Sequence, residues 1–301
     1  MYKFIFFNIE NTLFIIINKA KLKEEISISN FNIKEIDWNE CWNKTRKKYG
    51  KKKKTWNDVA KKFNLWEKND DYPEKLINKM DLDKNDNVLD LGSGDGSVTL
   101  KIAKKVKKVT AVDKYKNMLD LLKEKAEATG INNIEYMEAD IKDISLKTIG
   151  EYDVILASRS LATVKDIKDR FIEFNKIAKK SVYFSLIGSQ PDLHLKKVSE
   201  LLNREYKQVT PSIYAYNLLH QIGIYGNLVN LGCNTRHQYE DLEDAYSRLD
   251  WKLHGIENQK KELVMDFLKE NIIRNEDGNL VNKYSKPDWV LIWWNKVHDD
   301  G

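Results

Sequence analysis

Residues 88–96 read Val-Leu-Asp-Leu-Gly-Ser-Gly-Asp-Gly, a strand-forming run that passes straight into a turn with glycine at 92, 94 and 96. Lacking a Cβ, glycine lets the backbone pass close to a ligand. A helix that follows such a turn aims its unpaired N–H groups at whatever sits there. Acids then arrive at strand ends: Asp113 closes Val-Thr-Ala-Val-Asp, 21 residues after Gly92, and Asp140 closes Tyr-Met-Glu-Ala-Asp. A carboxylate can accept two hydrogen bonds side by side, so an acid ending the second strand suits a ribose diol.

The glycine spacing separates two classes of ligand. A dinucleotide fold uses G-x-G-x-x-G, whereas here the third glycine comes one residue earlier and Ser97 follows it. With its leading Asp90, this G-x-G-x-G run resembles that of the class I S-adenosylmethionine (SAM) dependent methyltransferases, over roughly residues 72–187 and again 251–294. The resemblance implies SAM as cofactor. Gly92, Ser93 and Gly94 would then line its methionine part, with Gly96 completing the turn and Asp90 near the amino group. Asp113 would accept the ribose hydroxyls, and Lys114 and Met118 would lie near the adenine. Asp140 would take the adenine amino group or serve simply as a turn cap, and Ile141 would pack on the ring. Upstream, Trp56–Phe63 (WNDVAKKF) looks like the segment that closes over SAM in ubiquinone/menaquinone-type methyltransferases, which adds Trp56. Tyr72 stands at the usual entrance position. A closer likeness is to an archaeal and clostridial group of unsettled substrate, carried by Asp-Trp-Asn near the start, Ala-Ser-Arg-Ser-Leu mid-chain and Leu-Ile-Trp-Trp near the end.

In that family the stretch after the fourth strand, here Ala157–Ala162, faces the methyl being transferred, which brings in Ser158 and Arg159. The chain has no proline-rich turn there, as base-amino methyltransferases do, and no nearby cysteine, as pyrimidine C5 enzymes do. Arg159 could fork onto a substrate carboxylate or phosphate or cap the sheet. A general base is needed only for a protonated nucleophile. His194, His220 and His237 are available for that role or are structural. Tyr214, Tyr216 and Tyr225 could wall an apolar pocket or pack between helices. The catalytic candidates are Arg159, His220 and Tyr216; no metal is implied.

The elements that must hold these residues alternate. Strands are expected at 87–91, 108–112, 133–137, 152–157 and 181–187, with helices at about 96–106, 116–129 and 166–179. Such alternation means an α/β, Rossmann-like, mostly parallel sheet with its ligand at the carboxyl ends of the strands. The methyltransferase resemblance adds a seventh, antiparallel strand, which the closing run Pro287–Lys296 fits, paired with a strand at Trp251–Glu257 after which a helix runs at about 259–270. The expected organisation is an extension at 1–36, a helical cap at 37–80 and a core at 81–301. Within the core, a helical insertion at about 188–250 would form a substrate lid.

Composition bounds the rest. The chain has 301 residues, 42% apolar and 32% charged, with a net charge of +5. That is enough for a real core in one large domain. Two distant cysteines, Cys41 and Cys233, fit a reducing compartment and no zinc site; Cys233 reads as a buried bystander more readily than a nucleophile. The apolar run Phe4–Ile17 is too short to span a bilayer and lacks a cleavage signature. It reads as a strand, an interface segment suited to a homodimer, or sequence ahead of a mis-assigned start. A cytoplasmic protein without membrane association is expected. The basic run Arg46–Lys54, flanked by Trp38, Trp42, Trp56 and Trp66, could bind RNA or an anionic substrate, or mark a helix that buries an aromatic stripe. The functional expectation is methyl transfer to a small-molecule or metabolite acceptor by in-line displacement, releasing S-adenosylhomocysteine. The alternatives are a protein or RNA methyltransferase that uses the basic segment, and a non-catalytic SAM-binding module.

Overall fold

The computed structural model describes residues 35–45, 70–206, 211–233, 238–253, 255–276, 278–284 and 288–296, and the backbone alone at 4–7 and 13–16. Trp56, His237, the basic run 46–54 and the segment 56–63 lie outside the described residues. The short strands β1 (Phe4–Phe7) and β2 (Leu13–Ile16) form a separate antiparallel pair, so the apolar N-terminal run contains strands.

Among the described residues, seven strands make the main sheet: β3 (Asn87–Leu91), β4 (Lys108–Asp113), β5 (Ile134–Glu138), β6 (Tyr152–Ala157), β7 (Ala178–Ile187), β8 (Asn227–Asn230) and β12 (Trp289–Asn295). Their order is β5-β4-β3-β6-β7-β12-β8. β3, β4, β5, β6 and β7 pair in parallel, and β12 runs antiparallel to both its neighbours. The central strands read as nearly unbroken apolar runs because helices cover both faces. Successive side chains point to opposite layers: Leu89, Ile155, Phe184 and Ile292 enter one core, and Val88, Leu156, Tyr183 and Leu291 the other. The first core is closed by α1 (Trp38–Thr45), α6 (Ile167–Ile177) and α8 (Pro211–Gln221). The second is closed by α2 (Tyr72–Ile77), α3 (Thr99–Ala103) and α4 (Lys116–Ala128); α5 (Leu146–Ile149) is a single turn before β6.

The first strands and helices fall within a few residues of their expected bounds, and three differences have physical causes. The helix expected from about 96 begins only at Thr99, because Gly96 has φ +84°, outside the helical region. Among the described residues of 251–257 no strand forms. Trp251 and Lys252 instead end α9 (Leu242–Lys252), an amphipathic helix capped by Asp241 that buries Ala245, Arg248 and Leu249. The partner of β12 comes from the stretch expected to be helical, as β8. There Gly226 lets the chain pass close to Trp293, whose carbonyl lies 3.1 Å from where a Cβ would stand.

The 188–250 stretch therefore divides. α8 and β8 belong to the main layers. α7 (Leu193–Leu201), β9 (Gln238–Tyr239), α9, α10 (Lys261–Asn271), β10 (Ile272–Arg274) and β11 (Leu280–Asn282) form a smaller α+β subdomain with its own core around Val198, Leu249, Val264 and Leu268. Asp288 ties the ends of β7 and β8 to the start of β12, where the chain passes between the sheet and this subdomain. Its carbonyl accepts from Gly188 N at 2.7 Å, and its carboxylate accepts from Gln190 N at 2.7 Å and Asn230 Nδ2 at 2.5 Å. Among the described residues no helix is long and apolar enough to cross a membrane.

α1 shows what the tryptophans at 38 and 42 do: both are buried, and Trp42 Nε1 donates to the carbonyl of Val164 at 2.9 Å. We expect Trp42→Ala to destabilise the fold by about 3–5 kcal/mol through the cavity it leaves. Trp42→Phe, which forfeits mainly the hydrogen bond, should cost about 1–2 kcal/mol. Urea unfolding followed by circular dichroism distinguishes the two; equal losses would contradict this account.

Candidate cofactor and acceptor site

The turn after β3 is held by the neighbouring strand. Gly92 N and Ser93 N both donate to the carbonyl of Val112, at 2.7 and 3.0 Å. Gly92 has φ +77°, and a Cβ there would lie 2.4 Å from Cβ of Ser160. Glycine is thus required twice, by conformation and by space. Ser160, which the sequence reading passed over, closes the turn from the other side, its hydroxyl donating to the Leu91 carbonyl at 2.6 Å. At Gly96 a Cβ would meet Leu122 of α4 at 2.0 Å, so this glycine lets helix and turn pack.

The expected acids converge on that turn. Asp113, at the end of β4, is 8% exposed. It accepts from Gly94 N at 3.0 Å and Tyr115 N at 2.9 Å. Burial raises its pKa, and those N–H bonds work against the rise. Asp90, in β3, is fully enclosed. Burial pushes its carboxyl up to about 7, with the nearby Asp113 adding to the rise and the Thr99 hydroxyl, 2.6 Å away, opposing it. Thr99 is a second residue that the glycine motif alone did not signal. Among the described residues, Asp90 Oδ1 and Ser93 Oγ are buried polar atoms with no hydrogen-bond partner. A buried polar atom left without a partner is costly, and a ligand carrying an ammonium group and a carboxylate supplies what the two lack.

Asp140 does act as a cap, accepting from Lys142 N at 3.1 Å at the start of a 3₁₀ turn, Ile141–Asp143. Its other oxygen lies 3.9 Å from Lys114 Nζ, so these two expected residues face each other. Ile141 and Met118 flank the glycines: each has a methyl carbon 3.5 Å from where a Cβ on Gly92 or Gly94, respectively, would stand.

Beyond β6, Ser158 and Arg159 adjoin Tyr72. The Tyr72 hydroxyl lies 2.7 Å from Ser158 Oγ and 2.5 Å from Ser185 Oγ, and Ser185 Oγ accepts from Arg159 N at 2.9 Å. Arg159 has φ +55°, uncommon for a side chain of its size. Its guanidinium stacks 3.5 Å from the centroid of Tyr72 and 4.8 Å from that of Trp289, and pairs with Asp70 at 2.6 Å. Burial raises the Tyr72 phenol above its ordinary value, so near neutral pH it is protonated. Cys233 lies beside this cluster with its thiol pushed up to about 11 by burial and by Asp71 and Asp70, a poor nucleophile.

Two catalytic candidates are not brought to this edge. His220 and Tyr216 sit on α8, which packs over β7 and β12 with α1 and α6 as neighbours. The ring neighbours of His220 are Tyr216 at 4.9 Å and Tyr225 at 5.4 Å. Ala215, Leu218 and Leu219 form the buried face of α8, and Tyr216 and His220 stand beside it, only partly buried. Tyr214 likewise meets Trp38 at 6.4 Å. His194 is buried in the subdomain against Phe267, its imidazole pushed down to about 4 by burial. It is neutral at physiological pH and packs as an apolar ring.

A family model described as a methyltransferase domain matches residues 82–263. An uncharacterized protein of Haemophilus influenzae is 28% identical over 246 residues, covering 80% of this chain and 88% of that protein. A ribosomal RNA small subunit methyltransferase A of Mycoplasma mycoides is 25% identical over 114 residues, covering 36% of this chain and 42% of its own. Among solved structures, a provisionally assigned methyltransferase of Bacillus halodurans aligns with a TM-score of 0.52 at 19% identity, covering 75% of this chain and 99% of that one. The phosphoethanolamine N-methyltransferase 2 of Haemonchus contortus, solved with phosphomonomethylethanolamine and S-adenosylhomocysteine, aligns with a TM-score of 0.51 at 13% identity, covering 87% of this chain and 61% of that one. The family match runs through the strands that carry the glycine turn and both acids, and with it the chain belongs to the class I S-adenosylmethionine-dependent methyltransferases.

Proposed function

We propose that this methyltransferase acts on a small-molecule acceptor, with SAM held by Asp90, Gly92, Ser93, Gly94, Asp113, Met118, Asp140 and Ile141. The observation that carries the cofactor assignment is the pair of buried atoms, Asp90 Oδ1 and Ser93 Oγ, that have no hydrogen-bond partner among the described residues, beside the glycine turn. An ammonium group fits the first, and a carboxylate or water-bridged group the second. Asp113 keeps acceptor capacity beyond its backbone N–H bonds, enough for a ribose diol. Lys114 sits across from Asp140 and steadies its charge.

The bound cofactor supplies an electrophilic methyl group on a sulfonium. The protein's part is to hold the acceptor in line at contact distance and to keep water out. On this reading the turn after β6 is the acceptor side. Ser158 and the protonated Tyr72 offer hydroxyls, and Arg159 offers a stacked, oriented guanidinium. An acceptor that is already nucleophilic, such as a neutral amine, needs no base there. The subdomain supports a small acceptor: it joins the sheet through Gly188 and Asp288, at the carboxyl end of β7, next to Trp289 of the Arg159 stack.

Two measurements test the cofactor side. Asp113→Ala should weaken S-adenosylhomocysteine binding at least about tenfold in a calorimetric titration; wild-type affinity would sink the assignment. The second is pH dependence. The ligand's ammonium group requires ionised Asp90, and the free carboxyl titrates at about 7. Affinity should therefore fall about tenfold from pH 8 to pH 6, since protonated Asp90 must lose its proton before binding. It should be level above pH 8 until the ligand's own amine titrates. Asp90→Asn should flatten the profile; a profile as steep as wild type would remove Asp90 from the role.

A further inference from the structure

The segment that links β5 to β6 has an unusual backbone problem. Between Asp140 and Gly150 it forms only one 3₁₀ turn and the four-residue α5, so several of its polar groups have no helical or ladder partner. Backbone groups set against a packed core need partners, and Ile141 and Ile144 are buried in the first core. The partners come from α6. Arg170 Nη1 donates to the carbonyls of Lys142 at 2.9 Å and Ile144 at 2.8 Å, with a longer contact to Ile141 at 3.4 Å. One helical turn on, Glu173 Oε1 accepts from Leu146 N at 2.7 Å. That N–H, more than any other group, holds the Glu173 carboxyl below its usual range. Donor and acceptor lie three residues apart on one helix, so they share a face. Together they grip the segment by its carbonyls on one side and its amide on the other.

We infer that Arg170, with Glu173, is a positioning residue for the cofactor: it fixes the turn that presents Asp140 and Ile141 to the adenine. This rests on the proposed placement of the adenine at those two residues. Neither side chain touches the ligand on this reading. Arg170 acts through three carbonyls at the end of the 3₁₀ turn, where the guanidinium also meets the negative end of the local peptide dipoles. Without it those carbonyls must find water, and Ile141 loses the fixed backbone that holds it against the glycine turn. Arginine suits the task because its guanidinium is always charged and Nη1 alone carries two N–H donors to share among neighbouring carbonyls.

The test is a double-mutant cycle read by calorimetric titration with S-adenosylhomocysteine, on wild type, Arg170→Ala, Asp140→Ala and the double variant. Each single change should weaken binding about five- to tenfold, and the double variant should bind within about twofold of Asp140→Ala, because the two act through one turn. 5′-Methylthioadenosine, which carries the adenine but no amino acid, should lose affinity for Arg170→Ala by the same factor. Circular dichroism checks folding; should Arg170→Ala fail to fold, Arg170→Lys carries the test, with a smaller loss of about threefold expected. Wild-type affinity in the Arg170 variants, or losses that multiply in the double variant, would overturn the inference while leaving the cofactor site intact. An Asp140→Ala variant that binds normally would overturn it differently, by removing the adenine from this turn. Failure of the wild-type protein to bind either ligand would remove the cofactor reading itself.

Discussion

One carbonyl oxygen organises the carboxyl edge of the sheet. Val112 O accepts from both Gly92 and Ser93, so the chain leaving β3 folds toward β4 instead of continuing upward. That bend brings Gly94 N onto the Asp113 carboxylate, turns Ser93 inward and leaves room for Ser160 to reach the Leu91 carbonyl. It works only because parallel pairing sets Leu91 level with Val112. Register, turn and acid are therefore one constraint. A shift of one residue between β3 and β4 would exchange the faces of every side chain on the strand, and would separate the glycines from Asp113.

Around this bend the site is built in two chemically different halves. On the β3–β5 side, Asp113 is buried and held by backbone N–H groups and Asp90 is buried against the Thr99 hydroxyl, a setting that favours hydroxyls and cations. On the β6–β7 side, an arginine lies between two aromatic rings, paired with Asp70 and next to linked hydroxyls. The left-handed backbone at Arg159 has a local energetic cost. The stack and the ion pair offset it, and they fix the guanidinium where the turn alone would leave it free.

Much of this was legible in the sequence, for reasons that differ by element. β3, β4 and β6 announce themselves as apolar runs because both of their faces are covered, and the glycine spacing with Asp113 reports a turn that tolerates few other residues. For Asp140 the sequence offers a ligand group or a cap, and the structure shows the cap. The failures share a cause. β8 is a four-residue edge strand, too short for a period-two signal, and it hides in a stretch rich in helical patterns. Trp251–Glu257 has apolar residues at strand-like spacing, but its first two residues complete a helix begun nine residues earlier. His220 and Tyr216 are a different case: residue type alone singles them out, and helix packing places them on α8. Ser160, Thr99 and Arg170 carry no motif; their contacts exist only once distant strands and helices are side by side.

The place of β12 has a consequence for how the sheet is completed. It comes after every other strand in the sequence, yet it lies between β7 and β8 rather than at an edge. Until residues 289–295 are in position, β7 has an open flank and β8 has no strand to pair with. The sheet cannot close from one side to the other in chain order; its last gap is internal. Contacts of such long sequence separation form slowly because the loop must be ordered first, and an unpaired strand flank is a site for association with other chains. The Trp293–Trp294 pair thus sits in the strand whose arrival ends the period when the sheet is open.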